Sequence, residues 1–339
     1  MTITKKYHSG KNHLLIGGLL LVILILWLSF VASISWGAAD IGFKDIYQAF
    51  TDFDSSTNHL IIRTVRLPRS LIAMLVGASL AVAGAIMQGL TRNPLASPGI
   101  LGVNAGAAFA VVVGTFIFGS SSLDIYTWYA FAGAAISAIA VYFLGSLGRG
   151  GLTPFNLTIA GAVLTAFISS ITSGILILSQ RTLEEIRFWL AGSVAGRDMN
   201  LLLQVLPYIC IGLVLAIALS KQITILSLGE DTARSLGQST GLIKILAAIS
   251  IVLLAGASVA IAGPIGFVGL IVPHIVRFLV GVDYRWILPY SAILGAIIML
   301  IADLCGRLVL QPRELPVGLV MPLIGAPCFI YLIRWKLKR

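Results

Sequence analysis

The sequence Gly77-Ala-Ser-Leu-Ala-Val-Ala-Gly84 occurs a second time as Gly256-Ala-Ser-Val-Ala-Ile-Ala-Gly263, with two aliphatic residues exchanged. Each copy lies in a long apolar segment and is followed by a stretch interrupted by glycine and proline, at 93–99 and at 263–274. The copies lie five apolar segments apart, so they would cross a membrane in opposite directions. Such an inverted repeat, with broken helices in matching places, is typical of transporters and marks the translocation path. Close helix packing, which small residues favour, is the alternative explanation.

The composition assigns the chain to the membrane. Of its 339 residues, 58% are hydrophobic and 11% are charged, and the mean hydropathy is +1.00. A soluble protein carries about 25% charged residues. Apolar runs of about 18 residues or more recur along the sequence, as membrane-spanning helices require. We therefore predict an all-α polytopic membrane protein. In such a chain the net charge of +10 does not indicate nucleic-acid binding.

The apolar runs predict about ten transmembrane helices with an inverted five-helix repeat. The predicted spans are 14–36, 67–90, 100–118, 125–147, 155–178, 200–220, 242–263, 265–281, 286–308 and 316–335. They form a single transmembrane domain over residues 1–339, whose approximate halves are 14–178 and 200–335.

The positions of the basic residues predict the orientation. An even number of spans places both termini on one side of the membrane. Basic residues near the termini put that side in the cytoplasm; they are Lys5, Lys6, Lys11, Arg334, Lys336, Lys338 and Arg339. Lys44 is the only lysine in a segment that this topology places outside. The outward segments carry arginines instead: Arg63, Arg66, Arg69, Arg181, Arg187, Arg197, Arg307 and Arg313.

The longest polar interruption of the second half is Leu226-Ser-Leu-Gly-Glu-Asp-Thr-Ala-Arg-Ser-Leu-Gly-Gln-Ser-Thr240. Glu230 and Asp231 suit the first turn of a short helix, whose positive end favours acidic side chains. Gly237 is a typical C-terminal stop. A helix of mostly small residues between two spans has little apolar surface with which to form a core. We therefore predict that another protein grips this helix; a solvated loop is the alternative.

The sequence contains no motif for catalysis. A Gly-x-x-x-x-Gly-Lys-Ser/Thr phosphate loop is absent, so ATP hydrolysis is expected on a separate subunit. The four histidines are scattered and His-Glu-x-x-His does not occur, so we predict neither a metal site nor a cofactor. Asp303 is the only acid well inside a span, and it precedes Arg307 by four residues, which suits an ion pair on one helix face. A proton or ion path is the alternative role of such an acid.

Several strings resemble the permeases of ATP-binding-cassette (ABC) importers for iron chelates and cobalamin. In the first half they are Arg66-Leu-Pro-Arg69-Ser, Gly84-Ala-Ile-Met-Gln88 and Asn93-Pro-Leu-Ala-Ser-Pro-Gly99. In the second half they are Phe188-Trp-Leu-Ala-Gly-Ser193, Gly229-Glu-Asp-Thr-Ala-Arg-Ser-Leu-Gly237, Gly263-Pro-Ile-Gly-Phe-Val-Gly-Leu-Ile-Val-Pro-His274 and Glu314-Leu-Pro-Val-Gly318. The resemblance covers nearly the whole chain after the first span. It implies four partners: a second permease subunit, identical or paralogous, two cytoplasmic ABC ATPases and an extracytoplasmic substrate-binding protein.

The resemblance also implies roles for individual residues. It assigns docking of the binding protein to three outward arginines, Arg66, Arg69 and Arg307. Arginine suits this contact because its planar fork binds a carboxylate in two places. The resemblance assigns coupling to the ATPase to the residues Gly229, Glu230, Asp231, Ala233, Arg234, Leu236 and Gly237. The gate on the translocation path falls to Asn93, Leu95 and Thr153, although Pro154-Phe155 departs from the family's commoner polar run at that point.

These observations predict a permease subunit of the cell membrane, not an enzyme, that translocates a ferric siderophore without altering it. Cobalamin and haem are alternative substrates of the same scaffold. A proton-coupled secondary transporter is the rival from another class, and it would need Asp303 as its proton carrier. A non-transporting scaffold would leave the broken helices unexplained.

Overall fold

The computed structural model describes residues 3–37, 41–119, 122–147, 153–311 and 313–337. Their regular structure is entirely helical. The first half contains α1 (Ile3–Ser35), α2 (Phe43–Thr51), α3 (Thr57–Leu60), α4 (Leu67–Thr91), α5 (Val103–Phe118), α6 (Leu123–Ser146) and α7 (Pro154–Leu178). The second half contains α8 (Gln180–Leu190), α9 (Met199–Ala218), α10 (Ser220–Ser227), α11 (Glu230–Ser235), α12 (Thr240–Ala262), α13 (Val268–Val280), α14 (Tyr284–Leu308) and α15 (Val317–Leu337). Lys338 and Arg339, on which part of the predicted orientation rests, lie outside the described residues.

Each of the ten predicted apolar segments coincides with a helix, which confirms the predicted fold class. Among the described residues, seven helices are long and apolar enough to cross a membrane: α1, α4, α6, α7, α9, α12 and α14. Shorter apolar helices lie in α5, α13 and α15. The predicted span 265–281 begins too early, because the chain turns between Gly263 and Phe267, which both have positive φ. The helix starts only at Val268, so α13 has 13 residues and is shorter than a full membrane span.

The helix contacts of one half recur in the other, as an inverted repeat requires. In the first half α5 packs against α6 and α7; in the second half α13 packs against α14 and α15. The central helices exchange partners in the same way: α4 packs against α13 and α14, and α12 packs against α5 and α6. The central helices α4 and α12, which carry the two copies of the Gly-Ala-Ser motif, also contact each other. The two halves are therefore interlocked through their central helices.

The two central helices run in opposite directions. Arg69, in the first turn of α4, bonds to Glu314, which lies just before α15. Thr240, at the start of α12, bonds instead to Glu230 of α11. Gly263, just after α12, packs against Trp189 of α8, which lies at the same end of the bundle as Arg69. We refer to these two ends as the Arg69 end and the α11 end.

Glycine permits the closest helix contacts in the centre of the bundle. A methyl group at Gly84 would overlap the carbonyl of Gly269, and one at Gly77 would overlap the carbonyl of Gly295. Both glycines of the first copy thus bring α4 against the backbone of α13 and α14. In the second copy a methyl at Gly263 would likewise overlap the Trp189 carbonyl, whereas one at Gly256 would meet the Phe131 ring at an ordinary 3.5 Å. The motif therefore reflects close packing as well as the repeat.

Replacing Gly84 by alanine is expected to destabilise the bundle by about 1–3 kcal/mol, because a backbone carbonyl is unable to rotate away from the added methyl group. Thermal unfolding in detergent measures the effect. Gly174→Ala, within α7, is the matched control, since nothing lies within 4 Å of the added methyl. That variant should be neutral or slightly stabilised, because alanine favours helix by about 0.5–1 kcal/mol over glycine. Equal melting temperatures for the two variants would contradict this account.

Candidate translocation and coupling sites

Two of the outward arginines, Arg69 and Arg307, bind one buried carboxylate at the Arg69 end, and Arg66 lies at the same end. Asp303, only 2% exposed, accepts hydrogen bonds from Nε and Nη2 of Arg69 at 2.8–3.1 Å. Its Oδ2 also lies 3.2 Å from Nε of Arg307, one helical turn along α14. Arg69 donates in addition to Glu314 at 2.7 Å. The structure thus contains the ion pair expected from the spacing, together with a second arginine, 234 residues away in sequence, that the spacing did not indicate.

Two of these arginines also hold the C-terminal end of α1. Arg66 donates to the carbonyl oxygens of Ile34 and Ser35 at 2.7 and 2.6 Å. Arg307 donates to the carbonyl oxygens of Ser33 and Trp36 at 3.0 and 3.1 Å. The last carbonyls of a helix have no partner within the helix and carry partial negative charge, so cationic side chains stabilise them. The cluster therefore joins α1, α4 and α14 at one end.

This geometry differs from the expectation that the three arginines are presented to a docking protein. Arg66, Arg69 and Arg307 are 5%, 7% and 5% exposed, and their guanidinium groups point into the chain. A direct contact with an external carboxylate would require them to give up internal hydrogen bonds. Desolvation explains the arrangement: an arginine at a buried position needs carboxylate or carbonyl partners inside the protein. Docking by these residues stays a prediction. The exposed arginines at predicted outward positions are Arg63, Arg181, Arg187 and Arg313.

The polar stretch at the other end forms the predicted short helix. α11 begins after Gly229 and has Glu230 and Asp231 in its first turn. Gly237, with φ of +78°, ends the segment. The small-residue face is turned inward, because the Ala233 side chain is fully buried. α11 packs on α10 and α12.

Glu230 anchors α11 to the bundle. Its carboxylate accepts from Nζ of Lys244 at 2.7 Å, from Thr240 at 3.2 Å and from Arg234 at 2.8 Å. The Lys244 hydrogen bond, aided by the charges of Lys244 and Arg234, lowers the pKa of the Glu230 carboxyl below its usual value. Because the folded-state pKa is lowered, the stabilisation that the ionised Glu230 carboxylate provides is present at neutral pH. It is lost only as the pH falls through the lowered pKa. Asp231 is exposed by contrast.

A second polar network connects the α11 end to the broken helices. Arg277 of α13 donates to Oε1 of Gln88 in α4 at 2.6 Å and to the Tyr284 hydroxyl of α14 at 3.1 Å. The Tyr284 backbone N–H donates to Oγ1 of Thr224 in α10 at 2.9 Å, three residues before α10 ends. Gln88 also donates to the Leu270 carbonyl. Sequence reasoning missed this network, since its members lie on four separate helices.

The predicted gate residues do not form one cluster in the described structure. The Asn93 side chain accepts from the backbone N–H of Leu95 at 2.9 Å, which shapes the turn after α4. Leu95 is 52% exposed. Thr153 caps α7 by accepting from the backbone N–H of Asn156 at 3.1 Å. It lines a cavity of about 20 Å³ beside Thr91, and neither Asn93 nor Leu95 contributes to that cavity.

An interlocked inverted repeat, a broken helix before α13 and an acid-capped helix between spans agree with the membrane permease of an ABC importer. The chain matches the FecCD transport family over residues 24–335, and it belongs to this family.

Two relatives and one solved structure extend the comparison. The chain is 50% identical to the "Probable siderophore transport system permease protein YfiZ" of Bacillus subtilis (strain 168), over 93% of this chain and 95% of the relative. It is 45% identical to the Fe(3+)-citrate import system permease protein YfmD of the same organism, over 97% of this chain and 98% of the relative. A solved metal-chelate type ABC transporter in an inward-facing conformation matches with a TM-score of 0.82 and 32% identity, covering 93% of this chain and 98% of that one.

Proposed function

We propose that this chain forms part of the channel of an ATP-driven importer for a ferric siderophore. The observation that carries the substrate class is the 50% identity over 93% of the chain to a permease named for siderophore transport. The chain moves its substrate without altering it. Family membership and the likeness to an ABC transporter support ATP coupling over proton coupling.

The surroundings of Asp303 also argue against a proton carrier. Its carboxylate is held by Arg69 and Arg307 at the same time. Protonation would leave two buried guanidinium groups without their shared counter-charge, at a large cost in free energy. An acid that carries protons must release and regain them within each cycle. Asp303 therefore acts as the centre of a fixed ion cluster.

The proposed importer contains a second permease subunit, two ABC ATPases and an extracytoplasmic binding protein. We place the ATPase contact at the α11 end, which makes that end and both termini cytoplasmic. Exposed side chains support this assignment, because Leu228 and Leu236, on either side of α11, are 67% and 65% exposed next to the exposed residue Asp231. An apolar pair around an acid offers both contact area and charge for a partner. The binding protein then docks at the Arg69 end.

The polar contacts supply a mechanical route from the ATPase to the translocation path. A displacement of α11 is transmitted to α12 through Glu230 and Lys244, whose charged groups are 2.7 Å apart. The adjoining α10 transmits it to α14 through Thr224, and Arg277 passes it to α13 and to the end of α4. The turn at residues 93–99 comes directly after the end of α4 in the sequence. We propose that Asn93, Leu95 and Thr153 move with this end of the bundle and close the inner gate.

Uptake by reconstituted vesicles tests the proposed function. Proteoliposomes that contain this chain, its ATPase and its binding protein should accumulate a radioactive ferric siderophore only when ATP is present on the ATPase side. A protonophore at constant ATP should leave the initial rate unchanged. Vesicles that lack the ATPase provide the control and should show background uptake. Uptake that needs no ATP and collapses with the proton gradient would overturn the proposal.

A further inference from the structure

A recessed pocket lies at the Arg69 end, and nothing in the function described above uses it. Its volume is about 300 Å³, and the buried rings of Tyr126 and Trp189 form part of its wall. Arg197 lines it from the loop between α8 and α9. The arginine is 8% exposed. The pocket adjoins the break after α12, since Gly263 packs against Trp189.

The Arg197 guanidinium has no acceptor among the described residues, and its Nε is buried without a hydrogen-bond partner. Both carboxylates that line the pocket form ion pairs with other arginines. Glu185 pairs with Arg181 at 3.0 Å, and Glu314 pairs with Arg69 at 2.7 Å. Burial lowers the pKa of Arg197 to about 10, so the group is still charged at neutral pH. A buried charge without a counter-charge costs stability, and an anion that enters the pocket offsets this cost.

The loop that carries Arg197 is held rigidly in place. The Gly192 carbonyl accepts from the backbone N–H of Gly318 at 2.9 Å. The Ser193 backbone N–H donates to the Ala262 carbonyl at 2.7 Å. Asp198 caps α9 through its side chain at 2.9 Å. The loop is thus tied to the end of α12, to the start of α15 and to the start of α9, so the backbone that carries Arg197 is in place before a ligand arrives.

We propose that this pocket is a subsite for a carboxylate or similar anionic oxygen group of the transported small molecule. The inference rests on the proposed function for the identity of that molecule, because the group belongs to a metal chelate on its way to the channel. The guanidinium would donate two parallel hydrogen bonds to the anionic group. The pocket is small compared with a whole ferric chelate, so it receives one arm of the molecule. The aromatic wall of Tyr126 and Trp189 packs against the apolar part of that arm.

Binding of citrate to the chain alone in lipid nanodiscs tests the subsite. Wild-type protein should bind citrate, as measured by calorimetry, and citrate should raise its melting temperature. Arg197→Gln should weaken citrate binding by about tenfold or more, the equivalent of about 1.4 kcal/mol. Arg187→Gln is the matched control, because Arg187 is an exposed arginine of α8 outside the pocket. A neutral ferric trihydroxamate chelate should show no difference among the three proteins.

Two readouts separate a binding role from a structural one. Arg197→Gln should melt no lower than wild type, because the substitution breaks no internal contact. Citrate binding to the wild-type chain should weaken as NaCl is raised, because the contact is ionic. This second readout needs no variant. Citrate affinity that is insensitive to salt, or equal in wild type and Arg197→Gln, would overturn the subsite.

A docking measurement decides whether the anionic group belongs to the transported molecule or to the binding protein. The affinity of the binding protein for the reconstituted importer should be the same for wild type and Arg197→Gln. Weaker docking with unchanged citrate affinity would assign the guanidinium to a protein carboxylate and overturn the proposal. Citrate binding requires neither ATP nor ATPase, so its failure is distinguishable from a failure of ATP-driven uptake. Normal citrate binding without such uptake would reject only the proposed function.

Discussion

Asp303→Ala is expected to destabilise the permease by about 3–5 kcal/mol, a large part of the stability of a folded protein. The substitution removes the shared counter-charge of Arg69 and Arg307, both nearly inaccessible to water. Arg307 would keep its bonds to the end of α1, whereas Arg69 would keep only Glu314. We expect little folded protein in the membrane and a lower melting temperature for the remainder. Quantitative membrane immunoblots and thermal unfolding measure the two effects.

Glu314→Gln is the matched control, because it removes the other carboxylate of Arg69. The Glu314 side chain is 40% exposed, so water replaces the lost contact and the loss should be at most about 1 kcal/mol. The double variant Arg69→Met with Asp303→Leu should be more stable than Asp303→Leu alone, because it no longer buries an Arg69 that has lost its main counter-charge. Equal stability of Asp303→Ala and Glu314→Gln would show that the cluster is not held by Asp303.

Ala233→Phe should abolish ATP-driven uptake while leaving the membrane bundle folded. The Ala233 side chain is fully buried beneath α11, so a phenyl ring would lift this six-residue helix off α10 and α12. We expect uptake to fall to the level of vesicles that lack the ATPase. Uptake assays and co-purification of the ATPase measure the effect, and the melting temperature should stay close to that of wild type.

Ala233→Ser provides the size control at the same position and should retain uptake. Asp231→Lys tests the exposed surface of α11 without moving the helix, because the described structure shows this carboxylate exposed. It should weaken ATPase binding through charge reversal. Normal uptake by Ala233→Phe would mean that α11 is not the coupling element. The ATPase contact would then have to be sought on other exposed segments of the same end.

Much of the fold follows from local properties of the sequence. The ten apolar segments, the polar stretch that contains α11 and the breaks after the two glycine motifs were all predicted at nearly the observed positions. Each depends on residues close together in the chain: apolar length, acidic residues at a helix start, and glycine or proline where the backbone turns. The Asp303–Arg307 pair follows for the same reason, since four residues make one helical turn.

The sites depend on contacts between distant residues. Arginine at the outer positions indicates a need for its hydrogen-bonding geometry, and docking by these residues stays a prediction. The structure shows that Arg66 and Arg307 bond to the end of α1 and that Arg69 bonds to Asp303. Sequence pattern does not distinguish an arginine that meets a partner protein from one that meets a distant helix. Both need the same side chain.

The sequence by itself therefore determined the membrane class, the number and order of the apolar helices and the antiparallel relation of the two repeats. Hydrophobic length and repeated motifs are encoded locally. Only the tertiary structure decided which charges neutralise each other. It pairs Arg69 with Asp303 and links Gln88 to Thr224 through Arg277 and Tyr284. It leaves Arg197 without an acceptor among the described residues, beside two carboxylates that pair with other arginines. Ion pairing depends on distances of a few ångströms between helices, and helix packing sets those distances.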